Sequence, residues 1–127
     1  MKRLSAALAA VFVFALAAPA FAVDTVGTLV DLSCYKMDKS NTGLDHKMPK
    51  GQTANCAVDC AKQGKPLALI TDKGEIFIVS GALAENNNAR LIRHLGYKVS
   101  VQGSVSALNP DGTRTILGGA LKRLPQQ

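Results

Sequence analysis

The chain has no tryptophan, only two tyrosines and four phenylalanines. Three of those phenylalanines lie in the first 21 residues, so the rest of the chain carries Tyr35, Phe77 and Tyr97 alone. Single-strand nucleic-acid binders stack bases on several aromatic side chains, and Phe77 with Tyr97 is a thin platform for that work. Other signatures are missing too. There is no glycine-rich phosphate loop, no serine in a nucleophile-elbow context and no paired carboxylates in an active-site setting. Cys-x-x-Cys and Cys-x-x-Cys-His are both absent, which removes thioredoxin-like redox chemistry and c-type haem attachment. The aspartates Asp38 and Asp45 do not fall at EF-hand spacing. After residue 22 no apolar run approaches the roughly 20 residues a membrane span needs. These absences point away from an enzyme, a nucleic-acid binder and a membrane-spanning protein.

The N-terminus carries the first positive signal. Lys2 and Arg3 form a basic n-region, Leu4–Ala18 is an apolar stretch of about 15 residues, and Ala20-Phe21-Ala22 is a small-x-small cleavage site. Residues 1–22 therefore read as a signal peptide and 23–127 as one mature domain. No cysteine stands immediately after the cleavage site, where Val23 lies, so a lipid anchor is not expected. Loss of Lys2 and Arg3 leaves thirteen basic against nine acidic residues, a net charge of about +4. That is too low for a nucleic-acid-binding patch. The expected product is periplasmic or secreted, in a compartment that permits disulfides.

The mature chain alternates like a β protein. Val26–Leu32, Leu67–Thr71, Glu75–Ser80, Tyr97–Leu108 and Thr113–Leu124 read as strands. Asp72-Lys73-Gly74 and Asn109-Pro110-Asp111-Gly112 are turn signals. In the fourth segment Val99, Val101 and Val105 share one face, and Gly103 marks a bend or bulge. Asn88 is placed to cap a short helix, Ala89–Leu95, with Gly96 as its stop. His94 then falls in the last helical turn, where the dipole favours a positive ring.

The order is one strand, a long connection, two strands, a short helix and two strands. With the run GSVSALNPDGTRTILGGALKRL (Gly103–Leu124) as its last hairpin, the chain resembles small exported bacterial proteins of OB-fold type. The resemblance is architectural. It implies a mainly β, five-stranded OB-like barrel with a short helix between strands 3 and 4 and a binding face of strands and loops. It implies no ligand, since one fold hosts many functions.

The connection, residues 33–66, is the departure from that pattern, because structureless loops of such length are uncommon in compact domains. It holds all three cysteines, Cys34, Cys56 and Cys60, together with His46, Met37 and Met48. It is also basic, through Lys36, Lys39, Lys47, Lys50, Lys62 and Lys65, which reads as a solvated face. Its large apolar residues are few. Burying each contributes roughly 1.5–3 kcal/mol, against about 1–2 kcal/mol per residue to order the backbone. Some cross-link is needed if the segment is ordered. Asn55–Gln63 reads as a short helix that sets Cys56 and Cys60 at i and i+4, about 5–6 Å apart at Cβ. That separation is too wide for an unstrained disulfide between them.

Two cross-links remain open. In one, Cys34 pairs with Cys56 or Cys60 and leaves one thiol spare. In the other, Cys34, His46, Cys56 and Cys60 hold a metal, with Cys₃His suiting Zn²⁺ and the soft sulfur donors suiting Cu(I). The overall expectation is a non-enzymatic periplasmic binding or accessory module with a disulfide-stapled insertion, acting on an unidentified ligand or partner protein. The alternatives are a Zn or Cu binding protein and a thiol-redox protein. Exported material is expected to begin at Val23. N-terminal sequencing checks this, and a membrane-bound chain that keeps Met1 would overturn the compartment.

Overall fold

A computed structural model describes residues 22–126, so all of the expected leader except Ala22 lies outside the described residues. The structure is mainly β. Its principal strands are β1 (Val23–Asp31), β4 (Leu67–Ile70), β5 (Ile76–Ser80), β6 (Lys98–Val105) and β7 (Arg114–Arg123). All five expected strands are present, and their ends shift by at most three residues. The largest changes are at β1, which starts at Val23 and gives up Leu32 to the helix that follows, and at β6, which ends at Val105 rather than Leu108.

Pairing is antiparallel between β1 and β4, β4 and β5, and β6 and β7. β5 and β7 pair in parallel, and β1 pairs a second time, with β6. The sequence of neighbours β1-β4-β5-β7-β6 thus returns to β1. The face inside this ring carries Leu29, Leu69, Val79, Val99, Val101 and Ile116, all buried. Val105, expected beside Val99 and Val101, is only partly buried and packs at the core's edge.

Gly103 does what its lack of a side chain suggested. The β6–β7 register slips between Gln102 and Gly103. A Cβ at Gly103 would lie 2.1 Å from the Leu117 carbonyl oxygen, so the strands meet there at backbone contact. The bulge lets a short sheet curl tightly.

Between β5 and β6 the expected helix Ala89–Leu95 is replaced by tighter turns. Asn86, Asn87 and Asn88 all adopt positive φ, from 52° to 60°, and a 3₁₀ turn follows at Ile92–His94. Asparagine tolerates the left-handed region better than other side-chain-bearing residues, which accounts for the Asn run. Asn88 caps no following helix. Its side-chain amide instead reaches across to the carbonyls of Ala61 and Lys65, at 3.0 and 2.9 Å. His94 is likewise not stabilised as a cation: burial and the neighbouring Arg123 and Arg93 push its pKa down.

Residues 32–66 are ordered by small elements of their own. α1 (Leu32–Met37) continues directly from β1, a two-strand hairpin pairs β2 (His46–Met48) with β3 (Gly51–Thr53), and α2 (Cys56–Lys62) leads back to β4. α2 is shared between two environments. Ala57 and Ala61 enter the main core, whereas Cys56 and Cys60 face a separate small cluster with Cys34.

The contact at Gly103 makes a specific expectation. Gly103→Ala should destabilise by about 1–3 kcal/mol through overpacking, or roughly 4–20 °C in Tm for a domain of this size. Gly119→Ala, where an added Cβ meets nothing within 4 Å, should leave Tm unchanged or slightly raised. Thermal denaturation of the two variants checks this directly.

Candidate metal centre

The cluster is assembled from four neighbouring pieces of chain. Asp31 is the last residue of β1 and the N-cap of α1, where its Oδ1 accepts a hydrogen bond from the Ser33 N–H at 2.9 Å. That bond fixes the carboxyl group and sets the first turn of α1, which carries Cys34. His46 opens β2, and Cys56 and Cys60 sit one turn apart on α2.

Hydrogen bonds from outside the cluster hold these pieces in register. Asn41 is buried, and its amide donates to the carbonyls of Cys34 and Lys47, both at 3.1 Å. Its side-chain oxygen accepts from the Lys47 N–H at 2.8 Å. One side chain thereby ties α1 to β2 and brings His46 beside Cys34. The start of α2 is held through Ala57 N–H to Leu44 carbonyl (3.1 Å) and Asn55 N–H to Asp45 Oδ1 (2.8 Å). Its far end is held by Asn88.

Five potential ligands result, all buried. Cys34, His46 and Cys56 place their donor atoms within 4.8 Å of one another, and so do Asp31, Cys34 and Cys60. Cys34 belongs to both sets. The expected four-ligand set of Cys34, His46, Cys56 and Cys60 is therefore divided, with Cys60 grouped beside Asp31 rather than beside His46. Met48 packs against the three sulfurs, while Met37 is exposed.

The three cysteines are free thiols, so the expected disulfide staple is not present. The Cys34 and Cys56 sulfurs lie 3.9 Å apart, nearly twice the S–S bond length of about 2.04 Å. Two sulfurs bound tetrahedrally to one zinc at about 2.3 Å each sit about 3.8 Å apart. The helices thus hold this pair at ion-sharing distance.

Two polar atoms in the cluster have no hydrogen-bond partner, Asp31 Oδ2 and His46 Nδ1. The other ring nitrogen of His46, Nε2, lies 3.1 Å from the Gly43 carbonyl. A carbonyl only accepts, so Nε2 carries the proton and, in the neutral ring, Nδ1 keeps its lone pair. A backbone carbonyl orienting the far nitrogen is the usual support for a metal-binding histidine.

Without an ion Cys34 and Cys60 are held as protonated thiols. Burial, the adjacent Asp31 carboxylate and Cys56 push Cys34 far above the ordinary thiol range. Burial and Asp31 push Cys60 up to about 11, opposed weakly by Lys65, whose Nζ lies 3.7 Å from the sulfur.

Sequence reasoning located the three cysteines and His46 but passed over Asp31 and Asn41. Asp31 is readable in retrospect as the N-cap in Asp31-Leu32-Ser33. Nothing in the sequence marks Asn41, whose role depends on the fold. The aromatic pair does not form a joint platform: Phe77 is buried in the core, and the Arg123 guanidinium sits 3.7 Å from the centre of the Tyr97 ring, over one of its faces. Among the described residues no helix is long and apolar enough to cross a membrane. Compared with family models, with curated proteins and with solved structures, the chain matches none.

The thiol shifts fix the pH behaviour of the metal-free protein. A thiol whose folded pKa is raised contributes stability that is present below its unfolded value and is lost as pH rises through the folded value. For Cys60 that window runs from 9.0 to about 11. Metal-free protein should lose thermal stability across it, and Cys60→Ser should lessen the loss, the remainder coming from Cys34. Melting curves at pH 8, 9.5 and 11 in the presence of chelator check the sign.

Proposed function

We propose that this chain is an exported metal-binding protein whose first site is Cys34, His46 and Cys56, carried on an OB-type barrel. The observation that carries the reading is the buried convergence of thiols on a histidine nitrogen that has no other partner. A buried polar atom without a partner costs on the order of 1–3 kcal/mol. An ion supplies the missing partner, and it also supplies the cross-link that the apolar-poor insertion needs.

The donor types favour Zn²⁺ or Cu(I) over hard cations such as Ca²⁺ or Mg²⁺, which take oxygen ligands. The OB-type barrel is supported by five principal strands, a pairing order that returns to β1, and helical turns between the third and fourth of them. Export is supported by the leader-like residues 1–22. In an oxidising compartment, thiols this close escape pairing when an ion holds them.

The reading is of a binding protein for delivery, storage or sensing of the metal, not an enzyme. The thiol-redox alternative is less well supported, because Cys34 and Cys60 are held as the unreactive thiol rather than the thiolate.

Native mass spectrometry with Zn²⁺ or Cu(I) under reducing conditions tests the proposal. At least one bound ion is expected, with His46→Ala and Cys56→Ser each weakening that ion by at least about 100-fold. Absence of any bound ion would overturn it. So would a purified chain 2 Da lighter than the reduced mass and unable to take up metal, which would restore the disulfide staple.

A further inference from the structure

We infer that the centre holds two divalent ions bridged by the Cys34 thiolate, the second bound by Asp31, Cys34 and Cys60. The inference rests on the metal-binding reading above and extends it to a second site with its own ligands.

Three observations lead there. The donor atoms fall into two triads, each within 4.8 Å internally, and Cys34 is the single residue common to both. One ion drawing on four cysteine and histidine donors would gather them into a single group, and that is not how they lie. Next, each triad contains one of the two unpartnered buried atoms: His46 Nδ1 in the first, Asp31 Oδ2 in the second. A single ion at the histidine triad satisfies Nδ1 and leaves the carboxylate oxygen orphaned at a residue with no exposed surface. Thiolate sulfur has lone pairs enough to bridge two ions, so Cys34 serves both triads without a further ligand.

Charge balance gives the third argument and selects the kind of ion. With ligands deprotonated, Asp31, Cys34, Cys56 and Cys60 carry four negative charges and neutral His46 carries none. Two divalent ions cancel these. One divalent ion at the histidine triad leaves Cys60 a thiol and the Asp31 carboxylate as one uncompensated negative charge in a buried site, where such charge is costly. Two Cu(I) ions would leave an excess of two. Lys65 reaches only the Cys60 edge of the cluster. The two-ion arrangement therefore favours Zn²⁺ over Cu(I). Binding both ions displaces the three thiol protons to solvent, so loading is accompanied by acidification. Each ion has three protein donors, which leaves room for a water or a ligand atom from a partner.

Asp31→Asn is the informative variant, because asparagine retains the N-cap function while removing the anionic ligand. Native mass spectrometry with Zn²⁺ on the reduced chain should give two ions for the wild type. It should give one for Asp31→Asn, with the remaining ion bound as tightly as the first wild-type ion. Cys60→Ser should behave like Asp31→Asn, which guards against a folding defect in either variant. Cys34→Ser should weaken both ions. A wild type that saturates at one ion overturns the two-ion assignment and leaves the first site standing. A wild type with two ions, both retained in Asp31→Asn and Cys60→Ser, overturns the ligand assignment. A wild type that binds none overturns both readings together.

Discussion

A carboxylate and an imidazole buried with one atom each unpartnered are the constraint around which the rest of the insertion is arranged. Desolvating such atoms is unfavourable unless something takes the place of water. Ordinarily that partner is a backbone group, ordered water or another polar side chain. Here the groups facing Asp31 and His46 are thiols, which are weak donors and weak acceptors. The surrounding hydrogen bonds tie each ligand's backbone or far atom, through Ser33, Gly43, Asn41 and Asn88, and none quenches the inward-facing atom. The frame is satisfied and the interior is left short of a partner. That imbalance sets the cluster apart from a small hydrophobic one that happens to contain cysteine.

The frame also explains how a segment poor in apolar residues is ordered. Ala57 and Ala61 are the insertion's main entry into the core of the sheet, and they are small. Their contribution to burial is correspondingly modest, but their size lets α2 approach the sheet closely. Leu32 N–H to Pro66 carbonyl, at 3.2 Å, joins the segment's two ends beside β1 and β4. The insertion is therefore anchored at its base by backbone bonds and across its middle by Asn41, with the thiol cluster between.

The strands were legible because each obeys period-two alternation or ends in recognisable turn chemistry, and Gly103 was legible as a bulge because a strand rarely gives up a side chain without a close contact. α2 was legible from its helical spacing and the Gly64 stop. What stayed hidden depended on distant partners. The run Asn86–Asn88 read as a helix cap, since capping and left-handed backbone are both asparagine properties and only the contact with Ala61 and Lys65 separates them. α1 was missed because one turn and a half of helix has too little periodicity to register. For the centre, the residue types and their confinement to one segment were visible. The division of the ligands between two triads was not, because it depends on the side of Cys34 to which Asp31 is delivered by the end of β1.

The pairing of β1 with both β4 and β6 has a consequence for the order in which the molecule is built. The sheet closes only when Val23 meets Gly103, 80 residues further along the chain (103 − 23). Closing so long a loop is entropically unfavourable until other contacts have shortened it, and folding dominated by such contacts is slow. All five ligands, by contrast, lie between Asp31 and Cys60, within reach of one another through short loops. An ion captured by this segment would draw α1, the β2–β3 hairpin and α2 together before β6 and β7 are in place. The loop between β1 and β4 would then already be closed, and the first strand pair of the ring set, when the C-terminal strands arrive to complete it.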